Sequence, residues 1–342
     1  MNCFAYIIAK GVKPKNRKVS RFLVFCFYLL AFVAVRGQDI HFSQVDADPM
    51  LLNPAYAGFY QGAGRFGMLY RNQWATVSIP YQTFAFSGEV ALWRSRNMNS
   101  GLSAGVSLFN DHAGTLHYGT TSGHLSLAYF RTVNRAATSY LSFGLEGGYA
   151  QSGYDPSQAA PQDPSETFAT QQVGYPLLAV GVAWYWQPTG DLHTKVGFSV
   201  RNINRPNISY MQLDSVFLHR RFSLFARAEY RYWNAVSVLP VFLCQFQGRH
   251  REWIYGADLK WYIEEGGARQ VSLRAGVAMR HLDAVIASLM VEFNAFLFTF
   301  CYDANISGLS VASGSFGAIE AGVVYRLNQG SRKTKAIKCP VY

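Results

Sequence analysis

Residues 252–263 read Glu-Trp-Ile-Tyr-Gly-Ala-Asp-Leu-Lys-Trp-Tyr-Ile. Taken alternately, they separate into two faces. Trp253, Tyr255, Ala257, Leu259, Trp261 and Ile263 share one; Glu252, Gly256, Asp258 and Lys260 share the other. Such period-two alternation marks a strand, because successive side chains point to opposite sides of a sheet. The stretch is longer than an ordinary globular strand of about 5–6 residues. It suits a tilted strand crossing a bilayer, which needs about 9–11. Its apolar face begins and ends in aromatic rings, as at membrane interfaces. Its other face is charged and carries glycine, as a wet lumen would.

The pattern recurs outward from there. In 141–151, Leu141, Phe143, Leu145, Gly147 and Tyr149 oppose Ser142, Gly144, Glu146 and Gly148. In 221–232, Phe222, Leu224, Ala226, Ala228, Tyr230 and Tyr232 oppose Arg221, Ser223, Arg227, Glu229 and Arg231, with Phe225 among the latter. In 271–280, Val271, Leu273, Ala275, Val277 and Met279 oppose Ser272, Arg274, Gly276 and Arg280. Walking the chain predicts strands over 65–74, 81–93, 101–110, 119–131, 139–151, 177–187, 194–203, 220–232, 236–247, 252–263, 270–280, 285–293, 295–303 and 316–327. Residues 152–176, rich in Pro, Ser and Gln, have the composition of a long loop. Past Gln38 no apolar run approaches the 18 residues of a spanning helix. In lipid the remaining solution is a closed barrel, since an open sheet edge would leave backbone groups unpaired. The expectation is an all-β, transmembrane, antiparallel β-barrel of about 14 strands over 65–327. A soluble β-sandwich shares the alternation. Long strands, aromatic strand ends and a charged fraction of 15%, against about 25% for soluble domains, speak against it.

The formal charge of +11 sits at the two ends of the chain. Residues 1–36 hold Lys10, Lys13, Lys15, Arg17, Lys18, Arg21 and Arg36 without an acid; residues 331–342 hold Arg332, Lys333, Lys335 and Lys338, again without one. The body between them carries twenty basic and twenty acidic residues, so nucleic acid is excluded as a partner. The front end has a basic stretch over 10–21, an apolar run over 22–35 and small residues around Gly37, which reads as a signal peptide over 1–37 cleaved after Gly37. Residues 38–64 are then expected to form a periplasmic N-terminal segment, and 328–342 a basic periplasmic tail. An even strand number places both ends on one side. Export leaves Cys244, Cys301 and Cys339, which is no disulfide framework.

Chemistry is hard to find. The eight histidines are scattered, and His112 and His117 lie five apart in a turn region, poor geometry for a metal. No G-x-S-x-G elbow occurs, and Gly62-Ala-Gly64 lacks the strand–helix setting of a phosphate loop. An outer-membrane phospholipase or protease would need Ser, His and an acid or amide on adjacent strands. The expectation is a protein that is not an enzyme, with neither cofactor nor metal.

The most distinctive stretch is Phe42-Ser-Gln44 followed by Leu52-Asn53-Pro54-Ala55-Tyr56-Ala57-Gly58, whose Asn-Pro and Ala-Gly steps are turn chemistry. With Arg71-Asn-Gln73-Trp74 after it, this closely resembles the PorP/SprF family of type IX secretion membrane proteins. Gly101, Gly105, Asp111 and Gly114 are similar to that family's second hairpin. Tyr302-Asp303-Ala-Asn-Ile-Ser307 with Glu320 resembles its C-terminal signature, and Cys339-Pro340 its tails. The last strand, Glu320-Ala-Gly322-Val-Val-Tyr325-Arg-Leu327, also resembles a barrel-assembly signal. The resemblance implies an integral outer-membrane component of the type IX secretion or gliding machinery of a Bacteroidetes-type bacterium. It would sit among outer-membrane lipids and anchor the machine's periplasmic ring lipoproteins, or assist export and surface attachment of a large secreted adhesin. Asn53, Pro54, Ala55, Tyr56, Ala57, Gly58, Arg71, Gln73, Trp74, Asp303, Ser307 and Glu320 are the resulting partner-contact candidates. Arg332, Lys333, Lys335 and Lys338 are candidates for docking an acidic partner. The competing expectation is a passive porin or uptake channel, with Arg227, Glu229, Arg231 and Arg274 lining its lumen.

Overall fold

The computed structural model describes residues 42–44, 48–60, 62–75, 79–97, 99–114, 118–154, 171–210, 216–233, 235–264, 269–308, 310 and 314–327. The expected signal peptide and the basic tail, with Arg332, Lys333, Lys335 and Lys338, lie outside the described residues. Among those described, fourteen strands follow in order. They are β1 (Gly64–Gln73), β2 (Tyr81–Arg94), β3 (Ser100–Ala113), β4 (Tyr118–Thr132), β5 (Ser139–Tyr154), β6 (Gln171–Trp186) and β7 (Leu192–Arg201). After them come β8 (Arg221–Trp233), β9 (Val236–Gln247), β10 (His250–Glu264), β11 (Val271–Arg280), β12 (Ala284–Phe293), β13 (Phe296–Asn305) and β14 (Phe316–Leu327). Each pairs antiparallel with the next, and β1 pairs with β14 from Gly64↔Leu327 to Gln73↔Ala318. The sheet is therefore a closed barrel without a free edge, which satisfies the ladder hydrogen bonds that lipid could not.

Every strand carries its apolar side outward. In β10, Glu252, Ile254, Asp258 and Lys260 are buried, whereas Trp253, Tyr255, Leu259, Trp261 and Ile263 are 37–67% exposed. In β5, Ser142, Gly144 and Glu146 are buried, whereas Phe143, Leu145 and Tyr149 are exposed. A water-soluble protein does the reverse. Charged side chains reach the interior because they meet one another there. Asp258 binds Arg227 and Arg274 at 3.0 and 2.6 Å, and Lys260 lies 3.4 Å from Glu292.

The strands begin and end at two levels. At the near end, where β1 starts at Gly64 and β14 stops at Leu327, the connections are two to six residues long. At the far end they reach sixteen residues (155–170) and nineteen (202–220). The tightest near-end link, Asn294–Ala295, is possible because Asn294 takes φ +53°, a left-handed conformation that Asn tolerates.

Two boundaries differ from the sequence reading. β5 runs on to Tyr154 and β6 starts at Gln171, so the expected loop over 152–176 shrinks. Pro176 sits within β6, where its missing N–H argued for a loop. The reason lies in the neighbours: β7 meets β6 only from Ala179 onward, so 171–178 pair with β5 alone. A strand with one free side accepts proline.

The inside-out arrangement has a direct consequence. Leu125, midway along β4 and 70% exposed, should tolerate Arg within about 0.5 kcal/mol on a soluble surface. Facing the bilayer midplane, Leu125→Arg should cost about 2–4 kcal/mol. Urea titration of folding into phospholipid vesicles reads the difference.

Candidate functional site: a segment bound through the barrel lumen

Residues 42–44 and 48–60 lie inside the barrel. This corrects the expected periplasmic lead-in over 38–64 and the expected wet lumen. The correction begins with turn chemistry that was rightly identified but given a surface location. Asn53 and Pro54 open a single 3-10 turn, Pro54–Tyr56, after a short helix α1 (Pro49–Leu52) capped by Asp48. Pro54 needs no hydrogen-bond partner at that first position. Asn53 Oδ1 accepts from the Ala55 N–H at 2.9 Å, which is ordinary capping. Its Nδ2 then donates to the carbonyls of Val182 on β6 and Phe198 on β7, at 3.0 and 3.2 Å. Aspartate could cap the turn but would set a carboxylate against those two carbonyls.

The wall is recessed where the turn sits. A Cβ on Gly181 would lie 1.9 Å from Asn53 Oδ1, one on Gly197 2.2 Å from Tyr56 Oη, and one on Gly144 2.2 Å from the Ala55 nitrogen. These three inward glycines on adjacent strands leave the volume the segment fills. Gly58 meets two demands at once: its φ is +80°, which favours glycine, and a Cβ there would strike Ser103. Tyr56 packs edge-on against Tyr185 and Phe225, with Lys195 Nζ 4.6 Å from its ring centre.

Wall side chains bind the segment largely through its main chain. Ser142 Oγ donates to the Ala55 carbonyl and Ser199 Oγ to that of Leu52, both at 2.7 Å. Arg201 donates to the Met50 carbonyl at 3.2 Å and Arg221 to the Leu51 carbonyl at 3.1 Å. Arg94 reaches the carbonyls of Gly58, Tyr60 and Gly62. In the other direction, the Gly58 N–H donates to the Glu89 carboxylate. A buried segment with little secondary structure thereby satisfies its backbone, as it must.

The segment spans the lumen. Gly58 lies against Glu89, five residues before the near-end terminus of β2, whereas Ser43 lies against Glu320, four residues into β14 from the far end. The expectation that the chain's ends share a side holds for Gly64 and Leu327. It does not hold for the stretch before Gly64, which has crossed to the opposite end by Ser43.

There the sequence signatures converge. Glu320 accepts the N–H groups of Ser43 and Gln44 at 2.7 and 2.9 Å and pairs with Arg71. Asp303 Oδ2 accepts from Ser43 Oγ at 2.7 Å and from Arg71 and Arg280 at 3.3 and 3.2 Å. Arg280 also donates to Ser43 Oγ at 2.6 Å and to Glu252 at 3.0 Å, and Gln73 accepts from Arg71. Arg71, Arg280, Glu252, Asp303 and Glu320 are all buried. The wall thus brings three carboxylates against two guanidinium groups. The backbone N–H groups of Ser43 and Gln44 supply part of the missing stabilisation.

Of the candidate residues, Asn53, Pro54, Ala55, Tyr56, Ala57, Gly58, Arg71, Gln73, Asp303 and Glu320 take part in seating the segment. In this structure the main partner of these residues is the barrel itself. Trp74 and Ser307 stand apart in far-end connections. The Trp74 N–H donates to the Gly317 carbonyl and its ring stands edge-on to Tyr81; the Ser307 N–H donates to the Asp283 carbonyl. Sequence reasoning missed Glu89, Arg94, Ser142, Ser199, Arg201, Arg221 and Arg280 as ligands of the segment. The available signal was the run of inward glycines, which was taken for wetness.

Two variants separate the seat from the barrel. Gly181→Val should cost the seated state about 1–3 kcal/mol by overpacking, while the barrel still folds. Chymotrypsin cleavage near Tyr56 and Phe59 should rise accordingly. Glu320→Gln removes one partner of a buried ion pair and should destabilise by about 3–5 kcal/mol in chemical denaturation.

Comparison with known proteins follows the geometry. The profile described as "Type IX secretion system membrane protein PorP/SprF" matches residues 34–329. No curated protein sequence matches the chain. Among solved structures, the chain is similar to the Ralstonia pickettii toluene transporter TbuX, at 10% identity, covering 81% of this chain and 92% of that one, with a TM-score of 0.49. It is similar to the Pseudomonas putida toluene transporter TodX at 10% identity, covering 85% and 95%, with a TM-score of 0.48. A Pseudomonas aeruginosa FadL homologue matches at 10% identity over 82% and 95%, with a TM-score of 0.46. With its family profile spanning most of the sequence, the chain belongs to the PorP/SprF family of type IX secretion system membrane proteins.

Proposed function

We propose that this protein is a non-enzymatic accessory barrel of the type IX secretion machinery that serves as an anchor and not as a pore. It holds the periplasmic ring lipoproteins of the machine, or a large secreted adhesin, at the outer membrane. The observation that carries this reading is the occupied lumen. An uptake channel needs a continuous wet path, whereas here residues 42–44 and 48–60 are bonded to the wall from one end to the other. Arg227 and Arg274, which would line such a path, are engaged by Asp258.

Loop asymmetry supports placing the near end in the periplasm, since outer-membrane barrels keep short turns there and longer loops outside. The C-terminal tail follows Leu327 at that end. Its Arg332, Lys333, Lys335 and Lys338 suit an acidic protein surface, with an attraction that salt would screen.

In planar bilayers the intact protein should pass no large steady conductance, and a variant lacking residues 48–60 should open. A strain without the gene should lose secretion or display of the partner. Large steady conductance from the intact protein, with normal secretion in the deletion strain, would establish the channel instead. Truncation at Ser331 should leave the barrel folded and weaken complex assembly most at low ionic strength. Unchanged assembly would sink the tail's part in the proposal.

A further inference from the structure

The lipid-facing side of β2–β5 carries a feature that the lumen does not explain. Asn110, Thr121 and Gln151 pair across β3, β4 and β5 and point outward as one exposed polar row near the far end. Asn110 Nδ2 donates to Thr121 Oγ1 at 2.7 Å, and Gln151 Nε2 to Gln172 Oε1 at 2.6 Å. The next row toward the membrane centre is Leu108, Gly123 and Tyr149. Gly123 puts no side chain between its two large neighbours, and Gly147, one row further, faces open space. The result is a groove of about 380 Å³ walled by Phe84, Phe86, Leu108 and Tyr149 and closed above by the polar row. None of its lining residues is charged.

A groove of this kind in a hydrocarbon-facing wall offers water too few partners to hold it. Its natural filler is a chain of the surrounding lipid. The amides and hydroxyl above it would be costly against hydrocarbon without hydrogen-bond partners. Being uncharged donors and acceptors, they match sugar hydroxyls and amide linkages better than a bare ionic group. We propose that this groove is a lipid-binding site that takes one acyl chain of an outer-leaflet glycolipid and holds its sugar headgroup at Asn110, Thr121 and Gln151. The outer-leaflet assignment rests on the reading that the far end faces outward.

The test uses the full-length protein in nanodiscs containing phosphatidylethanolamine and lipid A, followed by native mass spectrometry. The expected result is one retained lipid A per barrel, reduced at least tenfold in Gly123→Trp, which fills the groove. The same loss is expected in the double variant Asn110→Ala with Gln151→Ala, which leaves the groove open and guards against a folding defect in the first. Val277→Trp, on an outward face elsewhere on the barrel, should retain it. Retention of phosphatidylethanolamine instead, still lost in Gly123→Trp, would overturn both the glycolipid assignment and the outward far end. Retention of no lipid, or retention indifferent to these variants, would overturn the site and leave the orientation standing.

Discussion

Arg71 on β1 stands directly across from Glu320 on β14, and those two strands close the barrel. The ion pair at the seam is also the pair that holds Ser43 and Gln44. Closure and filling of the lumen therefore share one constraint. If β14 slipped by a residue against β1, Glu320 would turn to the lipid side, because side chains alternate strictly along a strand. Arg71 would lose its carboxylate, and the segment would lose its anchor at the far end. Correct register, burial of charge and seating of the segment thus stand or fall together.

The same logic runs along the lumen. Turning the apolar face outward forces the polar face in, and polar groups without water or partners are expensive. Much of the interior solves this within the wall: Arg227 and Arg274 on Asp258, Arg201 on Glu146. The remainder is answered by main chain. Serine and arginine donate to the carbonyls of residues 50–62, and Glu89 and Glu320 accept from its N–H groups. The segment is an integral part of how this barrel pays for being inside out.

The outer half of this architecture is legible in sequence, and the inner half is not, for a physical reason. Alternation is local: Trp253 and Asp258 reveal their faces within one strand, and fourteen strands can be walked without knowing any partner. The seat of the segment is non-local. Ser43 and Glu320 are 277 residues apart, and no periodicity relates them. Gly144, Gly181 and Gly197 look alike whether they border water or a bound chain, because glycine advertises space and not its occupant. Asn53-Pro54 was correctly read as a turn, but turn residues resemble one another at a surface and in a lumen when the wall supplies what water would. Pro176 failed differently: its missing N–H is decisive within a sheet and irrelevant where β7 has not yet joined β6.

A filled lumen also changes where function can reside. A pore works through its interior, and here the interior's hydrogen-bonding capacity is largely spent on the protein's own chain. What remains for other molecules is the outside: the near-end turns and the tail beyond them, the long far-end connections, and the lipid-facing wall. Those surfaces differ in chemistry. The two ends are polar and suit proteins, while the wall is apolar with an uncharged polar row over β3–β5. A barrel that satisfies its own interior is rigid and closed, as an anchor for larger moving parts must be. The signature residues buried at Arg71, Asp303 and Glu320 then contribute to secretion through the rigidity they impose on the surfaces that partners meet.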